Sequence, residues 1–166
     1  MISPNPNALS TLEFCSSICK DVPTFMDVVP SEECDFGDCH NNIDRVIARH
    51  GGEPVRGWHL MEWPRVFIEA EQHVVWKSPH GSVADPTPHL IGFTKILFLP
   101  DRSIGEWDFL PNRKKALCDD RLIIDFLEAS TARQHEQSPL VVARFEQAYQ
   151  RLVARYGQEP VPAPSA

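Results

Sequence analysis

The stretch Arg65-Val66-Phe67-Ile68-Glu69-Ala70-Glu71-Gln72-His73-Val74-Val75-Trp76-Lys77-Ser78-Pro79-His80-Gly81-Ser82-Val83-Ala84-Asp85 decides the fold. Its first half is rich in β-branched and aromatic residues, so residues 65–77 read as a strand. Successive strand side chains point to opposite faces. Val66, Ile68, Ala70, Gln72, Val74 and Trp76 therefore share one face, and Phe67, Glu69, Glu71, His73 and Val75 share the other. Ser78-Pro79-His80-Gly81 reads as a hairpin turn, which returns residues 82–85 antiparallel. With the turn centred near Pro79-His80, His73 and Asp85 become cross-strand neighbours. Opposed residues approach to about 4.5–5.5 Å at Cβ, which brings the Asp85 carboxylate within reach of the imidazole.

Upstream, residues 57–63 show the same two-residue period and read as a second strand. Residues 39–50 read as a helix, because Ile43, Val46 and Ile47 fall at i, i+3 and i+4. Asp38 is its expected N-cap and Gly51-Gly52 its stop. Cys39 occupies the first turn, on the stripe of Ile43. Residues 10–20 read as a shorter helix capped by Ser10 or Thr11, with Leu12, Cys15, Ile18 and Cys19 on one face. Pro23 and Pro30 bracket an irregular or extended piece. Downstream, residues 94–99 read as a strand, and the helical period returns from about Lys114. Leu117, Ile123, Ile124 and Leu127 mark one helix and residues 140–156 another. This order predicts a single α+β domain over residues 1–157. An antiparallel sheet packs against a core helix that starts at Cys39, with further C-terminal helices. Residues 158–166 read as a disordered Pro-rich tail.

The chain's 166 residues can bury a substantial core. Its net charge of -7, from 23 acidic and 16 basic residues, argues against nucleic-acid binding, which needs clustered Lys and Arg. No basic run exceeds Arg113-Lys114-Lys115. No apolar run has the length of a membrane span, and the first residues lack the pattern of a secretory signal. The five cysteines, 15, 19, 34, 39 and 118, are odd in number and scattered, which is no disulfide framework. The expectation is a cytoplasmic protein with reduced thiols, no cofactor, no nucleic-acid or membrane partner, and a protein or peptide as its possible substrate.

Three residues in this plan suit covalent catalysis. A helix N-terminus offers unpaired N–H groups and a positive dipole end that favour an anion at Cys39. A nearby imidazole, His73, and a carboxylate that orients it, Asp85, complete the logic of nucleophile, base and orienter. The first N–H groups of the helix can contribute an oxyanion hole. Trp58, Glu71 and Trp76 are the candidate substrate-binding residues, with sheet packing as the alternative for the tryptophans.

The same residues resemble a known family. Gly37-Asp38-Cys39, then Gly51-Gly52 and Gly57-Trp58, then Glu71-Gln72-His73-Val74-Val75-Trp76, then Asp85-Pro86-Thr87-Pro88 follow the order of the transglutaminase-like branch of papain-like cysteine enzymes. The likeness covers about residues 37–88. It implies a nucleophilic Cys39 at the start of a core helix, His73 as general base and acid, and Asp85 as orienter. The implied reactions are peptide or amide hydrolysis, deamidation and acyl transfer.

Other readings remain open at this level. The domain could be a non-catalytic interaction module that keeps the scaffold. Glu69, Glu71 and His73 project from one strand face and could hold a metal for a metal-dependent enzyme. Cys34, Cys39 and His40, with His50 one helix away, are candidates for structural zinc, although their spacing is not a paired zinc pattern.

Overall fold

A computed structural model describes residues 1–89, 92–106 and 108–161. At its centre β2 (Glu53–Trp63) and β3 (Phe67–Lys77) pair antiparallel along their full length, from Glu53↔Lys77 to Trp63↔Phe67. The strand at residues 57–63 thus begins four residues earlier than its alternation suggests. Pro54 fits there because β2 meets its other neighbour, β5 (Lys95–Pro100), only over Gly57–Leu60. Proline is tolerated where a strand edge carries no ladder. At Gly57 a Cβ would lie 2.2 Å from the Leu99 carbonyl oxygen, so only glycine lets β5 cross so closely.

The irregular piece between the prolines contains a strand, β1 (Thr24–Asp27), paired with β5. The return arm of the hairpin is β4 (Val83–Ala84), shorter than residues 82–85. The sheet order is β1-β5-β2-β3-β4. Asp85 then joins the two ends: its N–H donates to Asp27 O (3.0 Å) and its carbonyl accepts from Val29 N–H (2.8 Å). The sheet therefore rolls up and closes at this end. Val75, Phe93, Ile96 and Phe98 fill its concave side. By strand alternation the opposite, convex side carries Trp58, Leu60, Ile68, Ala70, Leu97 and Leu99, packed against Phe14 and Cys15.

Phe14 and Cys15 come from α1 (Leu9–Ser16), which is shorter than residues 10–20 and follows Ala8 without a side-chain cap. Ser10 and Thr11 cannot cap because they lie within its first turn, and Leu12 lies on the outward side. The core helix α2 (Cys39–His50) has the expected bounds, ended by Gly51 at φ 70°. Ile43 and Val46 are its buried apolar residues. Asp38 takes the cap position, but its carboxylate accepts from the Asn41 side chain (2.8 and 3.0 Å) rather than from backbone.

The helical period expected from Lys114 starts later. Residues Arg113–Ala116 form β6, paired with β3 at Phe67–Ala70. Lys114 is held there by Glu69, at 3.2 Å. Helices α3 (Arg121–His135) and α4 (Pro139–Tyr156) follow, and side-chain oxygens of Asp120 and Ser138 cap them. They bury Ile123, Phe126, Ala129 and Leu152 against Trp63 and Phe67. Of the expected tail, residues 158–161 are described. Glu159 lies 3.9 Å from the Met1 nitrogen, which also donates to Pro160 O. Residues 162–166 lie outside the described set. Among the described residues no helix is long and apolar enough to cross a membrane.

Candidate functional site

The site lies at a gap in the sheet. On one edge of β3, β6 covers residues 67–70 and β4 covers residues 76–77, so no strand is paired with residues 71–75 on that side among the described residues. The start of α2, the Asp85–His89 segment and residues 109–112 converge there. Between them is a cleft of about 440 Å³ whose lining includes Cys39, His59, Glu71, His73, His89 and Phe109.

The structure brings His73 and Asp85 together. His73 Nε2 and Asp85 Oδ2 are 2.8 Å apart, with the residues 6% and 0% exposed. The contact forms in a different register from the expected one. The pairs Trp76↔Ala84 and Lys77↔Val83 shift the hairpin by two residues, which places Asp85 past the end of β4. A shift of one would have turned the carboxylate to the other face, whereas a shift of two leaves it on the same side. The cause is a loop longer than a tight turn, in which Ser78 N–H donates to Ser82 O (2.8 Å).

Asp85 is fixed from its second oxygen. Oδ1 accepts from Thr87 N–H (2.9 Å), the local turn that Asp-Pro-Thr favours. Thr87 Oγ1 in turn accepts from Asn42 Nδ2 (3.3 Å). Asn42 is fully buried on α2 and also holds the loop ahead of Cys39, accepting from Asp35 N–H (2.9 Å) and donating to Asp35 O (2.8 Å). One buried amide thus ties the helix bearing Cys39 to the segment bearing Asp85. Cys39 itself is half-buried and opens α2 at the cleft. No hydrogen bond of standard geometry joins Cys39 to His73, but the sulfur is near enough to influence the ring.

Burial alone would push the His73 pKa down. The Asp85 carboxylate and the neighbouring Cys39 outweigh it and raise the pKa to about 10. Burial would likewise raise the Asp85 carboxyl, but the two imidazoles bonded to it hold it well below the usual carboxylate range. The base and its orienter therefore form a charged pair at neutral pH. Glu71 reaches solvent at the cleft, yet the protein packed around it still raises its carboxyl pKa. That shift carries little energy, because solvent reaches the group.

Of the three substrate-binding candidates, only Glu71 lines the cleft. Trp58 and Trp76 sit at even positions and so point to the convex side of the sheet. Trp58 is fully buried and donates Nε1–H to Asp101 Oδ2 (3.0 Å). Trp76 donates to Gly51 O (2.9 Å) beside His50. Both pack, and neither meets the cleft. The glutamate-based metal set does not assemble either, because Glu69 is engaged by Lys114 (3.2 Å) and Asn112 (2.8 Å). Cys34, Cys39, His40 and His50 do not gather, and His50 instead meets Glu33 at 3.3 Å. Among the described residues the one group with metal-ligand proximity is His73, Asp85 and His89.

Two site residues escape the sequence pattern. His89 Nε2 lies 2.7 Å from Asp85 Oδ2, on the oxygen already bonded to His73. His59, 2% exposed, faces His89 and His73 at ring distances of 5.3 and 5.9 Å. Burial, then the charges of those two rings, drives the His59 pKa well below its ordinary value. The signals available were the Asp85-x-x-x-His89 spacing and the pairing of His59 with Glu71. No protein-family model, no curated protein and no solved structure matches this chain.

Proposed function

We propose that the chain is a thiol-dependent acyl-transfer enzyme of transglutaminase-like type, acting on amide or ester bonds of a protein or peptide. One observation carries the reading: a buried His73–Asp85 pair, 2.8 Å apart, in a cleft that also opens onto Cys39 at a helix N-terminus. A protonated imidazole beside a sulfur turns a thiol into a nucleophile. The Cys39 sulfur attacks the acyl carbonyl, and the first N–H groups of α2 receive the developing oxyanion. His73 gives its proton to the leaving amine or alcohol, which leaves a thioester. It then takes a proton from the incoming water or amine, and the thioester breaks to regenerate the thiolate. Asp85 Oδ2 holds Nε2 throughout, so Nδ1 is the nitrogen left to serve the reacting atoms. Three of the other cysteines suit this role less. Burial pushes Cys15 up to about 11 and raises Cys19 and Cys34. All five cysteines are free, which fits a reducing, cytoplasmic setting.

The test is alkylation by iodoacetamide at near-neutral pH beside an assay on glutamine-containing, peptide and ester substrates. Selective, stoichiometric labelling of Cys39 that removes turnover supports the reading. Folded protein that is inert at Cys39 and inactive across the panel rejects it in favour of an interaction module.

A further inference from the structure

Asp85 carries two imidazoles on one oxygen. Oδ2 lies 2.8 Å from His73 Nε2 and 2.7 Å from His89 Nε2. A nucleophile–base–orienter set needs only one histidine on that carboxylate, and the acyl-transfer chemistry gives His89 no task. The three ligand-type atoms all lie within 4.8 Å of one another. A second, independent observation points into the same space. His59 lines the cleft, is 2% exposed, and its Nε2 has no hydrogen-bond partner. Buried polar nitrogens are normally satisfied, so an orphan beside a ligand-like cluster marks a place for an ion with its water.

We propose that His73, Asp85 and His89 bind a zinc-class divalent cation, and that its occupancy shuts off Cys39. Two imidazoles and a carboxylate are a borderline donor set of the kind zinc accepts, with a coordination position left open to water. That water would lie toward His59 and satisfy its Nε2. The cation takes the Nε2 lone pairs of His73 and His89 and displaces to solvent the protons they share with Oδ2. With Nε2 on the cation and Nδ1 bearing its own proton, His73 has no nitrogen free to take a proton from the Cys39 thiol, and the cation stands in the cleft where an acyl group would enter. The binding half of the proposal needs no catalytic activity, and only the switch half rests on the acyl-transfer reading.

The experiment titrates zinc into metal-stripped full-length wild type, His89→Gln and Cys39→Ser. Wild type and Cys39→Ser bind one equivalent. His89→Gln binds at least about 100-fold more weakly, beyond the loss that follows from changing a group around the ligands. The exposed His50, His80 and His135 contribute a weak background common to all three proteins. Zinc raises the melting temperature of wild type and leaves that of His89→Gln unmoved, which also shows whether the variant is folded. With zinc at ten times its Kd, Cys39 alkylation in wild type slows about tenfold, and in His89→Gln it does not change. Equal affinity in wild type and His89→Gln overturns the site. Loss of binding in Cys39→Ser overturns the ligand assignment by moving the metal onto the sulfur. Zinc that binds without slowing alkylation overturns the switch. Because binding is read on Cys39→Ser, failure of the acyl-transfer reading leaves the site standing and is seen separately.

Discussion

The two ends of β3 are built on opposite principles. At its start, Phe67 packs with Trp63 against Ile123, Phe126, Ala129 and Leu152 of α3 and α4, a cluster built of apolar side chains. Near its other end, His73 shares a space with Asp85, His59, Asn42 and Thr87, all 6% exposed or less. Apolar burial is non-directional and adds stability roughly with area. Buried polar groups cost stability unless each is bonded, and they fix one arrangement when they are. The first end holds the chain together. The second holds a few atoms in place, and His59 shows that not every group there is satisfied.

The largest effect expected from this contrast is functional. If Cys39 is the nucleophile, Cys39→Ser lowers thiol-dependent amidase turnover on the order of 10⁴-fold or more, since triad members act as a unit. Its melting temperature stays close to wild type, because the residue is half-buried and serine is near in volume. Activity is read with the amide panel and stability by calorimetry. A large drop in melting temperature with no activity to lose would put Cys39 in the same structural class as the far cluster.

Next in size are two substitutions that should cost similar stability for different reasons. Phe126→Ala leaves a cavity between α3 and the sheet and costs about 3–5 kcal/mol. Asp85→Ala removes the shared acceptor of two imidazoles and costs roughly the same, as breaking a buried ion pair does. Urea unfolding measures both, and alkylation of the folded fraction separates them. Phe126→Ala leaves the Cys39 rate alone, whereas Asp85→Ala changes it. If both variants alter the Cys39 rate equally, the two ends are one cooperative site and the contrast fails.

The same contrast explains what the sequence could tell. Helix α2 was readable to the residue because Ile43, Val46 and Ile47 carry its period and Gly51 ends it at positive φ. The face of His73 was readable because strand parity is strict. That parity also survived the two-residue error in register, since an even shift keeps a side chain on its face. The same rule places Trp58 and Trp76 outside the cleft, a consequence of sheet orientation that no local pattern states. Strand β6 was hidden because Arg113–Ala116 is four residues, too short for its alternation to stand against the helical pattern that follows. His89 was hidden because it lies off any strand, in a proline-rich segment where periodicity says nothing. Its role depends on the path of the chain after Asp85, and that path is set by Asn42 reaching Thr87 from another element.

The smallest effect is a pH dependence that separates the cleft histidines from one another. His73 has a folded pKa of about 10, above its unfolded value. Its stabilising contribution is complete below about pH 6.5 and fades as pH rises toward 10. Asp85 is depressed, so its contribution is present above about pH 3.9 and is lost as pH falls below that. His59 is also depressed, being held neutral by burial first and by His73 and His89 second. Below about pH 6.5 the unfolded chain binds a proton there that the folded chain resists, so stability falls on the acid side. His73 therefore contributes to the alkaline limb, and His59, together with the likewise depressed His40, to the acid limb between about pH 6.5 and 4. His59→Gln removes one titrating group from the fold and should flatten that acid limb by up to about 1.4 kcal/mol per pH unit. The alkaline limb should keep its slope, because the His73–Asp85 bond is untouched. The measurement is urea unfolding of both proteins from pH 4 to pH 10. Parallel acid limbs would mean that His59 accepts its proton freely when folded, and the cleft would then be as well solvated as the surface.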